Sequence, residues 1–237
     1  QDGMEQQSDP THGSCEAEPF DICSASSSHD CDFTLLQCNI RGFSSHRAEL
    51  EGQIQVLSVQ PRLVCLNETF LDESVENVEL GGYKLVSRRD RGYGGDNRFG
   101  GGIAVFASDA IAARVVLLEH SQDAERSWHT LHTDIGPILC GVWYRPPECG
   151  ETISIRTCEA EWTRLSSDHV ATIIIGDLNV HHKHWLRFSS GMSVEGSALL
   201  RFCSTHALKQ WVKVPTRDGH LLDFVISDHG PRRVDFL

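Results

Sequence analysis

No apolar run in the chain approaches the roughly 18 residues that a bilayer-spanning helix needs, so no membrane contact is expected. No basic segment followed by an apolar one stands at the start, so no secretory signal is visible, although the chain begins at Gln1 rather than Met. Nine cysteines are present, an odd number, and none forms a C-x-x-C pair. Cys38, Cys65 and Cys140 sit inside apolar runs, where a free thiol packs as a small hydrophobe, and a reducing compartment is the economical expectation. Cys15, Cys23 and Cys31 recur in the polar N-terminal segment at a spacing that matches no common zinc pattern. The glycines Gly100-Gly101-Gly102 lack a following G-K-[ST], which excludes a phosphate-cradling P-loop. They are expected to let the backbone approach a neighbour closely.

Positive charge is also short, with a net charge of -12. Its location matters more than its size. Residues 1 to 30 carry Asp2, Glu5, Asp9, Glu16, Glu18, Asp21 and Asp30 with no Lys or Arg, so the remaining body holds only -5. Such a body can still build a basic groove, and Arg88, Arg89, Arg91 and Arg98 lie close together, although a charge run is more often a solvated face.

What is present is one domain's worth of core-forming sequence. A chain of 237 residues can bury a sizeable core as one α/β unit. Residues 1–31, rich in Gln, Ser, Asp and Glu, read as a disordered acidic tail, and 32–237 as the folded domain. Strands are predicted at 33–38, 63–66, 83–86, 103–107, 114–118, 128–133, 138–144, 170–175, 211–214 and 221–226. A helix follows the first strand, with Ser44 or Ser45 as N-cap and Leu50, Ile54 and Leu57 on one face. Two more are predicted at 152–166 and 195–206. Strands come in runs with few helices between, which argues for a sheet-rich α/β sandwich over a strictly alternating wound sheet.

The run Val170 to Ile175 organises the rest. It reads as a strand buried on both faces that breaks at Gly176 and delivers Asp177 and Asn179. Taken alone this is equally an Asx-rich turn. Other predicted strands end the same way, and the polar strand-end residues are Asn39, Glu68, Tyr144, Asp177, Asn179 and Asp223.

Four short stretches carry these residues: Leu36-Gln37-Cys38-Asn39, Cys65-Leu66-Asn67-Glu68-Thr69, Gly176-Asp177-Leu178-Asn179 and Leu222-Asp223-Phe224. In this order they resemble the endonuclease/exonuclease/phosphatase superfamily. That resemblance implies a four-layer α-β-β-α sandwich like deoxyribonuclease I. Tyr144-Arg145-Pro146-Pro147, Asn179-Val180-His181-His182 with Trp185, and Pro215-Thr216-Arg217 look like the apurinic-endonuclease-type domain of non-LTR (LINE-type) retrotransposons.

The resemblance implies roles. Glu68, supported by Asn39, would hold a catalytic Mg²⁺, with Mn²⁺ as the alternative. Asp177 would orient or deprotonate water, Asn179 and Tyr144 would hold the scissile phosphate, and Arg145 and His182 would bind substrate. Asp223 would orient a histidine. Ser227-Asp228-His229 supplies one, but His229 follows Asp223 by only six residues, roughly 20 Å along an extended strand. The triplet is therefore expected to be a coincidental loop, with the chain ending before the true one. His181, His182 and His184 could form a metal cluster, but resemble loop residues beside the site.

The implied activity is a Mg²⁺-dependent DNA endonuclease that leaves a 3′-hydroxyl to prime reverse transcription. Its partners would be DNA and a reverse transcriptase domain of the same element, and its place of action the nucleus. Alternatives are a repair-type apurinic/apyrimidinic endonuclease, an inactive remnant that only binds and, more distantly, a phosphoinositide or sphingomyelin phosphatase.

Overall fold

Two β-α-β units set the frame of the computed structural model, which describes residues 20–22, 33–91, 100–147, 150–189 and 191–230. In the first, β2 (Phe33–Asn39) leads through α1 (Phe43–Val56) to β3 (Leu63–Asn67), and β2 and β3 pair in parallel. In the second, β8 (Gly136–Tyr144) leads through α2 (Ile153–Leu165) to β9 (Ala171–Asp177), again in parallel. A parallel pair needs such a crossover. It also brings the C-terminal ends of both strands to one edge.

Each unit is extended by antiparallel strands. The first sheet runs β1 (Phe20–Ile22), β2, β3, β5 (Ile103–Ser108), β4 (Tyr83–Arg89). The second runs β10 (Lys209–Gln210), β11 (Asp223–Ser227), β9, β8, β7 (Glu125–Thr133), β6 (Val115–His120). Helix α3 (Val194–Thr205) precedes β10.

Alternation along the strands builds the layers. Leu36, Val64, Leu66, Ala104 and Phe106 turn outward onto Phe43, Leu50 and Ile54 of α1. Leu35, Leu63, Cys65, Val105 and Ala107 turn inward and share a core with Cys140, Val142, Ile173 and Ile175 of the second sheet. On the far face, Trp162 of α2 meets Phe202 of α3, and its indole N–H donates to Thr172 of β9. Helix, sheet, sheet, helix is the expected sandwich. A 14-residue helix is marginal alone, and each large apolar side chain that α1 buries contributes roughly 1.5–3 kcal/mol. Docking therefore decides that α1 forms.

Several boundaries differ from expectation. The N-cap of α1 is Gly42, not Ser44 or Ser45, and no side chain caps it. Instead the backbone N–H groups of Gly42 and Phe43 donate to Glu68 O and Thr69 O, both at 2.8 Å. Strand β9 does not break at Gly176 but continues to Asp177. Gly176 has φ +143°, and a Cβ there would stand 1.8 Å from Trp143 O. The glycine marks a close backbone approach inside the strand rather than its end. Residues 211–214 are not a strand. The Gln210 side chain donates to Val212 O and accepts from Val212 N–H, so it takes up backbone groups that a ladder would use.

Phe20–Ile22, inside the segment expected to be disordered, pair antiparallel with β2. The rest of that tail, its cysteines Cys15, Cys23 and Cys31, Arg98 and the last seven residues lie outside the described residues.

Candidate active site

The inward rows of the two sheets change character at one edge. Along β2 the row reads Leu35, Gln37, Asn39; along β3 it reads Leu63, Cys65, Asn67; along β9 it reads Ile173, Ile175, Asp177. Strand β11 runs the other way and starts there, with Asp223 paired to Asp177. The apolar core thus ends in a ring of amides and carboxylates.

Hydrogen bonds across the two sheets join that ring. The Asn39 side-chain nitrogen donates both to Glu68 Oε1, at 2.6 Å, and to Asp177 Oδ2, at 3.0 Å. Gln37 donates to Asn67 Oδ1 at 2.8 Å and to Asp223 Oδ1 at 3.2 Å. Asn67 Oδ1 also accepts the Asp177 backbone N–H at 3.2 Å. Arg217 Nη2 donates to Asp177 Oδ2 at 2.8 Å. Two carboxylates from different sheets therefore share one amide nitrogen.

Glu68 sits in the left-handed region, with φ +52°, a conformation that costs a non-glycine residue roughly 1–2 kcal/mol. The surrounding backbone imposes it. Its carbonyl accepts Gly42 N–H, and the next two residues donate to Gly102 O and Gly101 O. This is the close approach expected of the glycine run.

Burial sets the electrostatics. Asp177 is fully buried. Desolvation, then the negative charge of Asp223, push its carboxyl up to about 6, against the opposing pull of Asn39 and Arg217. Burial likewise raises Asp223, opposed by Thr216, Arg217 and Gln37. Burial, then the charge of Glu68, push the Tyr144 phenol up to about 12. The guanidinium of Arg91 lies 5.4 Å from the Tyr144 ring centroid and pairs with Glu125 at 2.5 Å. A cleft of about 580 Å³ opens there, lined in part by Arg89, Arg91, Tyr144 and Pro146.

The donor set fits a hard divalent ion. Asn39 Oδ1 and Asp177 Oδ1 are buried acceptors with no hydrogen-bond partner among the described residues. Mg²⁺ asks for one or two carboxylate oxygens and keeps its waters, so Glu68 and Asn39 suffice without a cage. Among the described residues, no group of three His, Cys, Asp or Glu side chains is disposed to hold a metal. A cluster of His181, His182 and His184 is thus not formed.

Asn39, Glu68, Tyr144, Asp177 and Asp223 come together at this edge. Asn179 is adjacent, but its side chain donates to Arg145 O at 2.9 Å and ties the exit of β8 to that of β9. Arg145 also lines the cleft, but its charged end is held by the protein. Its buried guanidinium donates to Glu151 O at 2.7 Å and lies 3.4 Å from the Glu151 carboxylate and 3.6 Å from that of Glu195. His182 is also buried, its ring against those of His184 and Trp185.

His229 stands at the far end of β11, where Ser227 pairs with Ile173. There Asp228 accepts Thr172 N–H at 2.9 Å, and His229 Nδ1 lies 3.1 Å from Asp228 Oδ1. Among the described residues no hydrogen bond joins Asp223 to a histidine. Gln37, Asn67 and Arg217 were not anticipated as site residues. The signal for the first two lies in strand alternation: Gln37 stands two residues before Asn39, and Asn67 two residues after Cys65, on the same inward rows.

Two mixed sheets packed face to face, with helices on the outer faces and carboxylates and amides gathered at one edge, define an α/β sandwich. Residues 138–233 match the family described as endonuclease-reverse transcriptase. The fold is similar to that of the endonuclease domain of TRAS1, a telomere-specific non-LTR retrotransposon, with a TM-score of 0.56 at 16% identity over 81% of this chain and 82% of that one. It is also similar to an AP endonuclease from Leishmania major, with a TM-score of 0.61 at 15% identity over 81% and 78% of the two chains. A third likeness is to an AP endonuclease from Archaeoglobus fulgidus, with a TM-score of 0.51 at 13% identity over 82% and 86%. No curated protein matches the chain.

Proposed function

We propose that the protein is a divalent-metal-dependent DNA endonuclease that nicks a phosphodiester to leave a 3′-hydroxyl. The observation that carries this reading is the single Asn39 amide bridging Glu68 and Asp177 across the two sheets. Phosphodiester hydrolysis needs an activated water and charge stabilisation at one place, and there is little else for the protein to supply. Glu68 and Asn39 would hold Mg²⁺ or Mn²⁺, which polarises phosphate oxygens and lowers the pKa of bound water. Asp177, whose carboxyl burial holds near 6 in the metal-free site, is suited to accept a proton around neutral pH. Tyr144 offers a phenolic O–H that stays protonated, so it can donate to a phosphate oxygen.

The family match over 138–233 and the resemblance of the short motifs favour the retrotransposon branch. The product end would then prime reverse transcription, a reverse transcriptase domain of the same element would be the partner, and action would be nuclear. The repair reading is favoured by the likeness to AP endonucleases.

One assay separates them. Intact and abasic duplexes are incubated with the chain and Mg²⁺, and the products are offered to a DNA polymerase. Nicking of intact duplex with extendable ends supports the proposal. Cleavage of abasic duplex alone supports the repair reading, and binding without any cleavage an inactive remnant.

A further inference from the structure

Thr216 to His220 form a narrow hairpin ahead of β11. Thr216 N–H and Arg217 N–H donate to His220 O at 2.8 and 3.0 Å, and His220 N–H returns to Arg217 O at 2.7 Å. Both central residues have positive φ, +48° at Asp218 and +79° at Gly219. This is the type I′ turn, whose twist matches that of paired strands. The Thr216 hydroxyl accepts the backbone N–H groups of Leu222, at 3.0 Å, and Asp223, at 3.1 Å. The backbone of Arg217 is thereby fixed beside the carboxylates by its own turn, independently of its side chain.

That side chain brings a cation to the carboxylates. Through Nη2 it reaches Asp177 Oδ2, and it lies in the fields of Asp177, Asp223 and Glu68 together. Asp177 has no exposed side-chain surface, whereas Arg217 keeps 22%. The guanidinium therefore stands between the buried carboxylate and solvent. It carries five N–H donors, and the bond to Asp177 is its one side-chain hydrogen bond among the described residues. A counter-ion for Asp177 would need only that one. The remaining donors form part of a rigid planar fork that matches two phosphate oxygens.

We propose that Arg217 binds the substrate's phosphate, offsetting the repulsion that three carboxylates would exert on an approaching phosphodiester. This rests on the nuclease reading for the identity of the substrate, but not on the metal.

The test is duplex DNA binding in EDTA, by fluorescence anisotropy over a range of salt concentrations, for the wild type, Arg217→Ala and Arg217→Lys. Arg217→Ala should bind about 10-fold more weakly and lower the slope of log affinity against log salt by about one phosphate contact. Arg217→Lys should restore the slope but not the full affinity, since it keeps the charge and loses the fork. Unchanged affinity and slope in both variants, with wild-type melting temperatures, would overturn the assignment. If the slope changes while the wild type, assayed separately with Mg²⁺, nicks nothing, the phosphate contact stands and the nuclease reading falls. Nicking with an unchanged slope does the reverse.

Discussion

Asp177 is asked to be buried and charged at once, and the two demands conflict. Its carboxyl titrates near 6 in the folded metal-free protein and near 3.9 in an unfolded chain. Folding thus takes up a proton. The stabilising contribution is complete below the unfolded value and is lost as pH rises through about 6. Asp177→Asn should therefore be more stable than wild type in EDTA at pH 8, by on the order of 1–3 kcal/mol, while nicking falls by at least about 100-fold. Denaturant titration at pH 8 checks the first half, and a less stable variant would contradict it.

Arg145 poses the opposite case. A motif says that a residue is near a site, not which way its side chain turns, and here Glu195, itself buried, takes it inward. Arg145→Ala should leave Glu195 buried without its cationic partner and destabilise the fold by roughly 3–5 kcal/mol. Thermal melts should show the loss. A well-folded variant defective only in DNA affinity would restore Arg145 as a substrate ligand.

At the scale of elements, most of the site was legible because it lies at strand ends. Asn39, Asp177 and Asp223 terminate or begin strands whose apolar runs are plain in the sequence, and Glu68 follows one directly. Gln37 lies inside its strand and Asn67 at the end of one. They become visible only once the inward face is known. Arg217 stands in the Pro215-Thr216-Arg217 stretch beside an Asp-Gly turn signal, but its reach to Asp177 depends on tertiary closure, which no local pattern encodes. The misplaced N-cap has the same origin, since α1 borrows its capping acceptors from the loop that carries Glu68.

Gly176 shows how tightly β8 and β9 are drawn together. A methyl group there would meet Trp143 O at 1.8 Å, and it would also be strained by φ +143°. Backbone cannot give way as a flexible side chain does. Gly176→Ala should cost about 3 kcal/mol or more and displace Asp177, which follows directly. Soluble yield and circular dichroism read the outcome, and a variant with wild-type stability would show that β9 is looser than described.

Over the whole molecule, the sheets meet through a largely apolar interior, and away from the candidate site a histidine contact also crosses it. His129 of β7 lies within the core and its Nε2 is 2.7 Å from the Ser87 hydroxyl of β4 in the opposite sheet. Burial lowers its pKa from 6.5 to about 4. The folded state therefore resists protonation that the unfolded chain accepts. Stability is complete above about 6.5 and is lost as pH falls toward 4, a change of about 3 kcal/mol. His129→Gln, which retains a hydrogen-bonding group without the charge change, should flatten this acid limb in melts between pH 7 and 4. An unaltered limb would place the sensitivity elsewhere.

The proposed function comes down to one point: that Glu68 and Asp177, from opposite sheets, work as one phosphodiester-cleaving centre. Nicking of supercoiled plasmid with Mg²⁺ tests it most directly, comparing wild type with Glu68→Gln and Asp177→Asn. Relaxed circles are expected from the wild type, with a loss of at least about 100-fold in either variant. Nicking that persists in both variants, at the wild-type rate and with the same Mg²⁺ requirement, would contradict it.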